Sequence, residues 1–217
     1  IVDWIKSYVN NISKQPVSLV IGVSGGVDSA LTSTLCAKTG LRTIAISMPI
    51  KQNLSQHDLS LRHLDFLKNN FNNVEVQTIE LDSVFSSFQN TMKSHDSDLA
   101  FANSRSRLRM VTLYQVAQSN NGIVVGTGNK VEDFGVGFYT KYGDGGVDIS
   151  PIADCTKSDV WELAEEIGVI REIIDAEPTD GLWDDSRNDE NQLGLSYKQL
   201  EEAMINKNSE FYKKYEE

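Results

Sequence analysis

Gly22-Val23-Ser24-Gly25-Gly26-Val27-Asp28-Ser29 is the stretch whose residue types and spacing could do chemistry. An apolar run, Val17 to Ile21, precedes it and reads as a buried strand. Helix formers around Ala30, Leu31, Leu35 and Ala37 follow it. A glycine-rich turn between a parallel strand and a helix aims backbone N–H groups and the positive helix end at one spot, which suits phosphate. Gly25 and Gly26 let backbone approach an anion, and Ser24 and Ser29 offer hydroxyls. Asp28 would repel phosphate unless it holds a Mg²⁺ that the phosphates also hold. No Lys follows the glycines, so this is not the GxxxxGK[ST] loop.

Such a loop needs a sheet to hold it. Strands are expected at Val17–Ile21, Arg42–Met48, Val74–Leu81 and Ile123–Val125, with helices between them. The alternation predicts right-handed crossovers and an α/β fold: a Rossmann-like, doubly wound, mostly parallel sheet of about five strands with helices on both faces. If the order is 3-2-1-4, the loops after strands one and four share one carboxyl edge, where ligands bind. The second of these, Gly126-Thr-Gly-Asn-Lys-Val-Glu-Asp133, is again rich in glycine, as is Phe138 to Asp148. Loops this long imply a function. Pro16 ends the first helical segment, Thr156 or Ser158 caps a later helix, and Ser196 starts the last one.

Composition narrows the classes. The 217 residues fit one domain, 1–217, with 40% hydrophobic and 24% charged residues. A formal net charge of −11 argues against a general nucleic-acid or membrane-surface binder. Cys36 and Cys155 lack metal-ligand spacing and read as reduced thiols. No apolar run approaches a membrane span and no signal peptide is evident, so a cytoplasmic location is expected. The chain starts at Ile1 rather than Met, which allows for residues before it.

The Ser24–Ser29 loop resembles the SGGxDS loop of the ATP pyrophosphatases, which split ATP into AMP and pyrophosphate. Further segments extend the resemblance in order: Arg105-Ser-Arg107-Leu-Arg109-Met110, Gly126–Asp133, Gly137–Asp148, Ser150–Lys157, Glu177-Pro-Thr179 and Leu182–Gly194. Together they resemble ammonia-dependent NAD synthetase over nearly the whole chain. The resemblance implies an adenine nucleotide alpha-hydrolase-like fold and a cytoplasmic homodimeric ligase. That ligase would adenylate the nicotinate carboxylate of deamido-NAD with Mg·ATP, release pyrophosphate, and let ammonia displace AMP.

Carried over by position, it implies that Gly22, Val23, Ser24, Gly25, Gly26, Val27, Asp28 and Ser29 grip ATP, joined by Thr127, Lys157 and Thr179. Asp28 and Glu132 would hold Mg²⁺, and Asp28 and Lys157 would be catalytic. Arg107, Lys141 and Asp148 would contact deamido-NAD. Taken alone, Glu132 reads as a solvated loop acid and Arg107 as a surface ion pair. Lys157 in a helix first turn is disfavoured by the dipole, which favours an anionic ligand there.

Nothing after Ser196 matches the family's C-terminal His-Lys pair, so the tail is expected to be truncated or replaced. There is no room for an amidase domain, which points to free ammonia. Two other classes stay open. Another ATP pyrophosphatase, such as the synthetase half of a GMP synthetase or a tRNA-modifying enzyme, is one; a tRNA enzyme should carry a basic face or a Cys pair. A nucleotide sensor without turnover is the other, and would release no pyrophosphate.

Overall fold

The computed structural model describes residues 1–12, 18–51, 54–179 and 188–216. Pro16, Val17 and positions 182–187 of the resemblance lie outside them. The strands are β1 (Ser18–Gly22), β2 (Arg42–Ser47), β3 (Val74–Thr78) and β4 (Gly122–Val125). The helices are α1 (Val2–Asn10), α2 (Val27–Lys38), α3 (Leu54–Asn70), α4 (Asp82–Thr91), α5 (Asp98–Ser119), α6 (Lys157–Glu166), α7 (Arg171–Ile174), α8 (Asp189–Leu193), α9 (Tyr197–Ile205) and α10 (Tyr212–Tyr215).

All strand pairs are parallel, in the order β3-β2-β1-β4. Ser18 of β1 lies between Arg42 of β2 and Gly122 of β4. Successive side chains of a strand point to opposite faces, and the core divides accordingly. Leu19 and Ile21 of β1 and Ala45 of β2 pack with α1, α2, α3 and α6 through Ile5, Leu31, Leu67 and Val160. Val20, Ile44, Ile46 and Val124 pack the other way, against Phe85 of α4 and Phe101, Met110 and Leu113 of α5. Both faces are covered, so β1 and β2 read as continuous apolar runs rather than alternating ones.

About five strands were expected, and four form among the described residues. The fifth position is a single parallel bridge, Val125 to Ile149. Gly145 and Gly146 precede this segment and Pro151, without an N–H, follows it, so the ladder cannot extend.

Local chemistry fixes the helix starts. Thr156 caps α6 in a capping box with Asp159, and Ser196 caps α9 in one with Gln199. The start of α5 is earlier than expected because Ser97, in the polar break, accepts a hydrogen bond from the Ala100 N–H. A third, smaller apolar cluster joins Leu195, Tyr197 and Leu200 to Val131 of the loop after β4. It seats the C-terminal helices beside the carboxyl edge of the sheet.

Candidate active site

The phosphate-type loop is built as its sequence suggests. Gly25 has φ +97°, a conformation that favours glycine. The Ser24 hydroxyl accepts from the Gly26 N–H at 3.2 Å. The Ser29 hydroxyl accepts from the Ser24 N–H at 3.2 Å and donates to the Gly26 carbonyl at 2.9 Å. Gly26 is the N-cap of α2 and no side chain caps it. The first-turn N–H groups of this helix are therefore left for a ligand. They open into a cavity of about 530 Å³ at the carboxyl edge of the sheet.

One cation and two carboxylates meet beside that helix end. Lys157, almost fully buried, donates from Nζ to Asp28 Oδ2 at 2.7 Å and to Glu132 Oε1 at 2.8 Å. Asp28 is the second residue of α2, Glu132 sits in a π-helical turn after β4 (Val131–Val136), and Lys157 opens α6. Asn129 is fully buried and ties two of these elements together. Its Nδ2 donates to Asp28 Oδ1 at 2.9 Å, and its Oδ1 accepts the N–H groups of Val131 and Glu132, both at 3.1 Å. The Tyr197 hydroxyl donates to the same Glu132 oxygen at 2.6 Å.

The electrostatics follow from burial around a single cation. Burial pushes the Asp28 carboxyl up, with the Lys157 charge opposing and Glu132 reinforcing. For Glu132 burial acts the same way, but Lys157 and the hydrogen bonds outweigh it and hold the group below the ordinary glutamate value. Desolvation disfavours the Lys157 ammonium, and the two acids more than restore it. Asp133, next in the chain, is pushed up to about 6 by burial and by the charges of Glu132, Asp144 and Asp28. The Tyr197 hydroxyl is raised far above its usual value by burial and by Glu132 and Asp189, so it stays a donor.

The cavity wall includes the whole loop Gly22–Ser29 together with Thr127, Glu132, Lys157 and Thr179. All of the residues assigned from sequence to ATP and metal thus converge on one space. Arg107, Lys141 and Asp148 are exposed and do not line it. Arg107 Nε donates to the Lys141 carbonyl at 3.1 Å. Asp148 accepts from the Val124 N–H at 2.8 Å and from the Tyr114 hydroxyl at 3.0 Å. Tyr114 and Tyr142, neighbours of these residues, line a second, more open hollow.

Sequence reasoning quoted Asn129, Asp133, Asp189 and Tyr197 without a site role, and all four line the cavity or touch its acids. A signal existed for Asn129, an amide inside a glycine-rich loop beside a glutamate. Tyr197 gave none, since its partner is 65 residues away.

The chemistry of this wall is that of a nucleotide site: N–H groups for phosphates, hard oxygen donors for a divalent cation, and one lysine. Known proteins with the same architecture agree. The family model for NAD synthase matches residues 1–216. An NH(3)-dependent NAD(+) synthetase of Carboxydothermus hydrogenoformans is 35% identical over 210 residues, covering 94% of this chain and 83% of that protein. The solved structure of NMN synthetase from Francisella tularensis superposes with a TM-score of 0.86 at 34% identity, covering 94% of this chain and 82% of that one. NH3-dependent NAD synthetase from Campylobacter jejuni, in complex with nitrate, gives a TM-score of 0.75 at 29% identity, covering 94% and 79%. With its match over the full length and its nucleotide-type cavity, this chain belongs to the NAD synthase family, ligases that form a carbon–nitrogen bond.

Proposed function

We propose that the protein amidates the nicotinate carboxylate of deamido-NAD with ammonia, at the expense of ATP. The convergence of Asp28, Glu132 and Lys157 at the open N-terminus of α2 carries this proposal. A carboxylate is a poor electrophile, so it first needs a leaving group. One carboxylate oxygen attacks the α-phosphorus of ATP and the bond to pyrophosphate breaks. Ammonia then attacks the carbonyl carbon of the acyl adenylate, the bond to AMP breaks, and a proton leaves the nitrogen. NAD, AMP and pyrophosphate result.

The residues divide this work. Backbone N–H groups of the Gly22–Ser29 loop hold phosphate oxygens, and Thr127 and Thr179 line the same wall. Asp28 and Glu132 would hold Mg²⁺ through carboxylate lone pairs that the Lys157 ammonium, at 2.7 and 2.8 Å from one oxygen of each, does not take. Hard oxygen donors of this kind suit that ion. Bound there, Mg²⁺ neutralises charge on the phosphate oxygens. Lys157 supplies a second positive charge to the departing pyrophosphate. Arg107 and Lys141 are cations for a dinucleotide, with Asp148 beside them. We further propose a cytoplasmic homodimer. Ile5 and Val9 of α1 are used inside the chain, while Trp4 and Tyr8 of that helix stay exposed.

A second substrate fits two observations. The Francisella tularensis relative makes NMN, and Arg107, Lys141 and Asp148 stand outside the ATP cavity. Amidation of nicotinate mononucleotide is therefore the alternative. Competition decides: with both acids at equal concentration, limiting enzyme, Mg·ATP and ammonium, excess NAD supports the dinucleotide and excess NMN the mononucleotide. Amide from neither overturns both.

A further inference from the structure

We propose that Tyr197 is a positioning residue for the metal-binding carboxylate, its hydroxyl pinning Glu132 and its ring face holding Lys157. The proposal rests on the assignment of Glu132 to Mg²⁺. Tyr197 is buried, at 1% exposure, on the first turn of α9. Its hydroxyl lies 2.6 Å from Glu132 Oε1 and 3.2 Å from Asp189 Oδ2. A phenol has one proton to donate, and the shorter contact takes it. The Lys157 ammonium lies 4.8 Å from the centre of the same ring. Trp161 packs edge-on against the ring at 5.8 Å.

Lys157 Nζ and the Tyr197 hydroxyl both donate to Glu132 Oε1, and a metal would take Oε2. A carboxylate held by one donor rotates; a carboxylate held by two presents one lone-pair direction. α9 is itself clamped to the helix that carries Lys157. Glu201 accepts from the Ser158 N–H at 2.8 Å and from the Ser158 hydroxyl at 2.7 Å. The C-terminal segment thereby sets the geometry of an acid on the loop after β4. Partners that orient a metal ligand commonly contribute roughly ten- to a hundredfold to metal affinity.

The test is Mn²⁺ binding by electron paramagnetic resonance, with α,β-methylene-ATP present, in wild type, Tyr197→Phe, Glu132→Gln and Trp161→Leu. Tyr197→Phe keeps the ring and deletes the hydroxyl. We expect about tenfold weaker Mn²⁺ binding in it, a matching rise in the Mg²⁺ needed for half-maximal turnover, and turnover at saturating Mg²⁺ reduced far less. Trp161→Leu should lower the melting temperature and leave Mn²⁺ binding intact. Unchanged Mn²⁺ binding in Tyr197→Phe, with Glu132→Gln weakened, overturns the role of Tyr197 alone. Equal losses in Tyr197→Phe and Trp161→Leu assign the effect to packing and also overturn it. Unchanged binding in Glu132→Gln overturns the metal assignment on which the proposal stands.

Discussion

Two acids depend on Lys157 and it on them. Buried ions are tolerated only when paired, and removing one partner costs about 3–5 kcal/mol. Lys157→Met should therefore lower the melting temperature strongly, since Lys157 is 2% exposed and would leave Asp28 and Glu132 facing each other. Millimolar Mg²⁺ should restore much of the loss in a thermal melt, because it replaces the missing charge. No restoration would separate the acid pair from metal binding. Asp28→Asn keeps the shape and the Asn129 partner, and Glu132 still pairs Lys157, so the fold should persist with a lowered melting temperature. Turnover should drop by about a hundredfold or more, the scale of losing one preorganised charge contact, and near wild-type turnover would remove Asp28 from the metal set.

Asp133 offers a test by pH. Its carboxyl is raised from the ordinary 3.8 to about 6, so the folded state holds the proton more tightly than the unfolded one. The ionised form thus opposes folding: the penalty is absent below the unfolded value, grows between the two, and is complete above the folded one. Asp133→Asn should raise the melting temperature at about pH 7.5 and raise it much less at about pH 4. A gain of equal size at both would assign the effect to something other than charge.

At the scale of elements, the sheet was readable because its two central strands are covered on both faces, which turns them into plain apolar runs. The order β3-β2-β1-β4 is the one on condition of which the sequence placed the two glycine-rich loops at one edge. The fifth strand failed because only Val147 to Ser150 stand between glycines and a proline. The residues of the cavity wall were readable where local backbone makes the site, as in the α2 turn. Arg107, Lys141 and Asp148 came only from resemblance, and they lie apart from the main cavity. Contacts between distant elements left no local trace: Tyr197 to Glu132, or Ser158 to Glu201. The loop itself is testable at Gly25, whose φ of +97° strains any L side chain. Gly25→Ala should cost on the order of 1–2 kcal/mol. Spent in the phosphate-binding conformation, that is roughly a tenfold rise in the KM for ATP. A normal KM with a lowered melting temperature would place the strain outside the binding step.

At the scale of the molecule, a chain of net charge −11 binds an anionic nucleotide by concentrating its favourable groups at one edge. Helix N–H groups, the buried Lys157 and the acids Asp28 and Glu132 face the same 530 Å³ cavity. No helix among the described residues is long and apolar enough to cross a membrane. The central claim is that ATP is split between its α- and β-phosphates to activate a nicotinate carboxylate for ammonia. Its most direct measurement is product stoichiometry: the protein with Mg·ATP, deamido-NAD and ammonium chloride, quantifying NAD, AMP and pyrophosphate together. Equal amounts of all three, each dependent on ammonium and none formed with glutamine in its place, are expected. ADP and phosphate as products, or AMP and pyrophosphate with no amide formed, would contradict the claim.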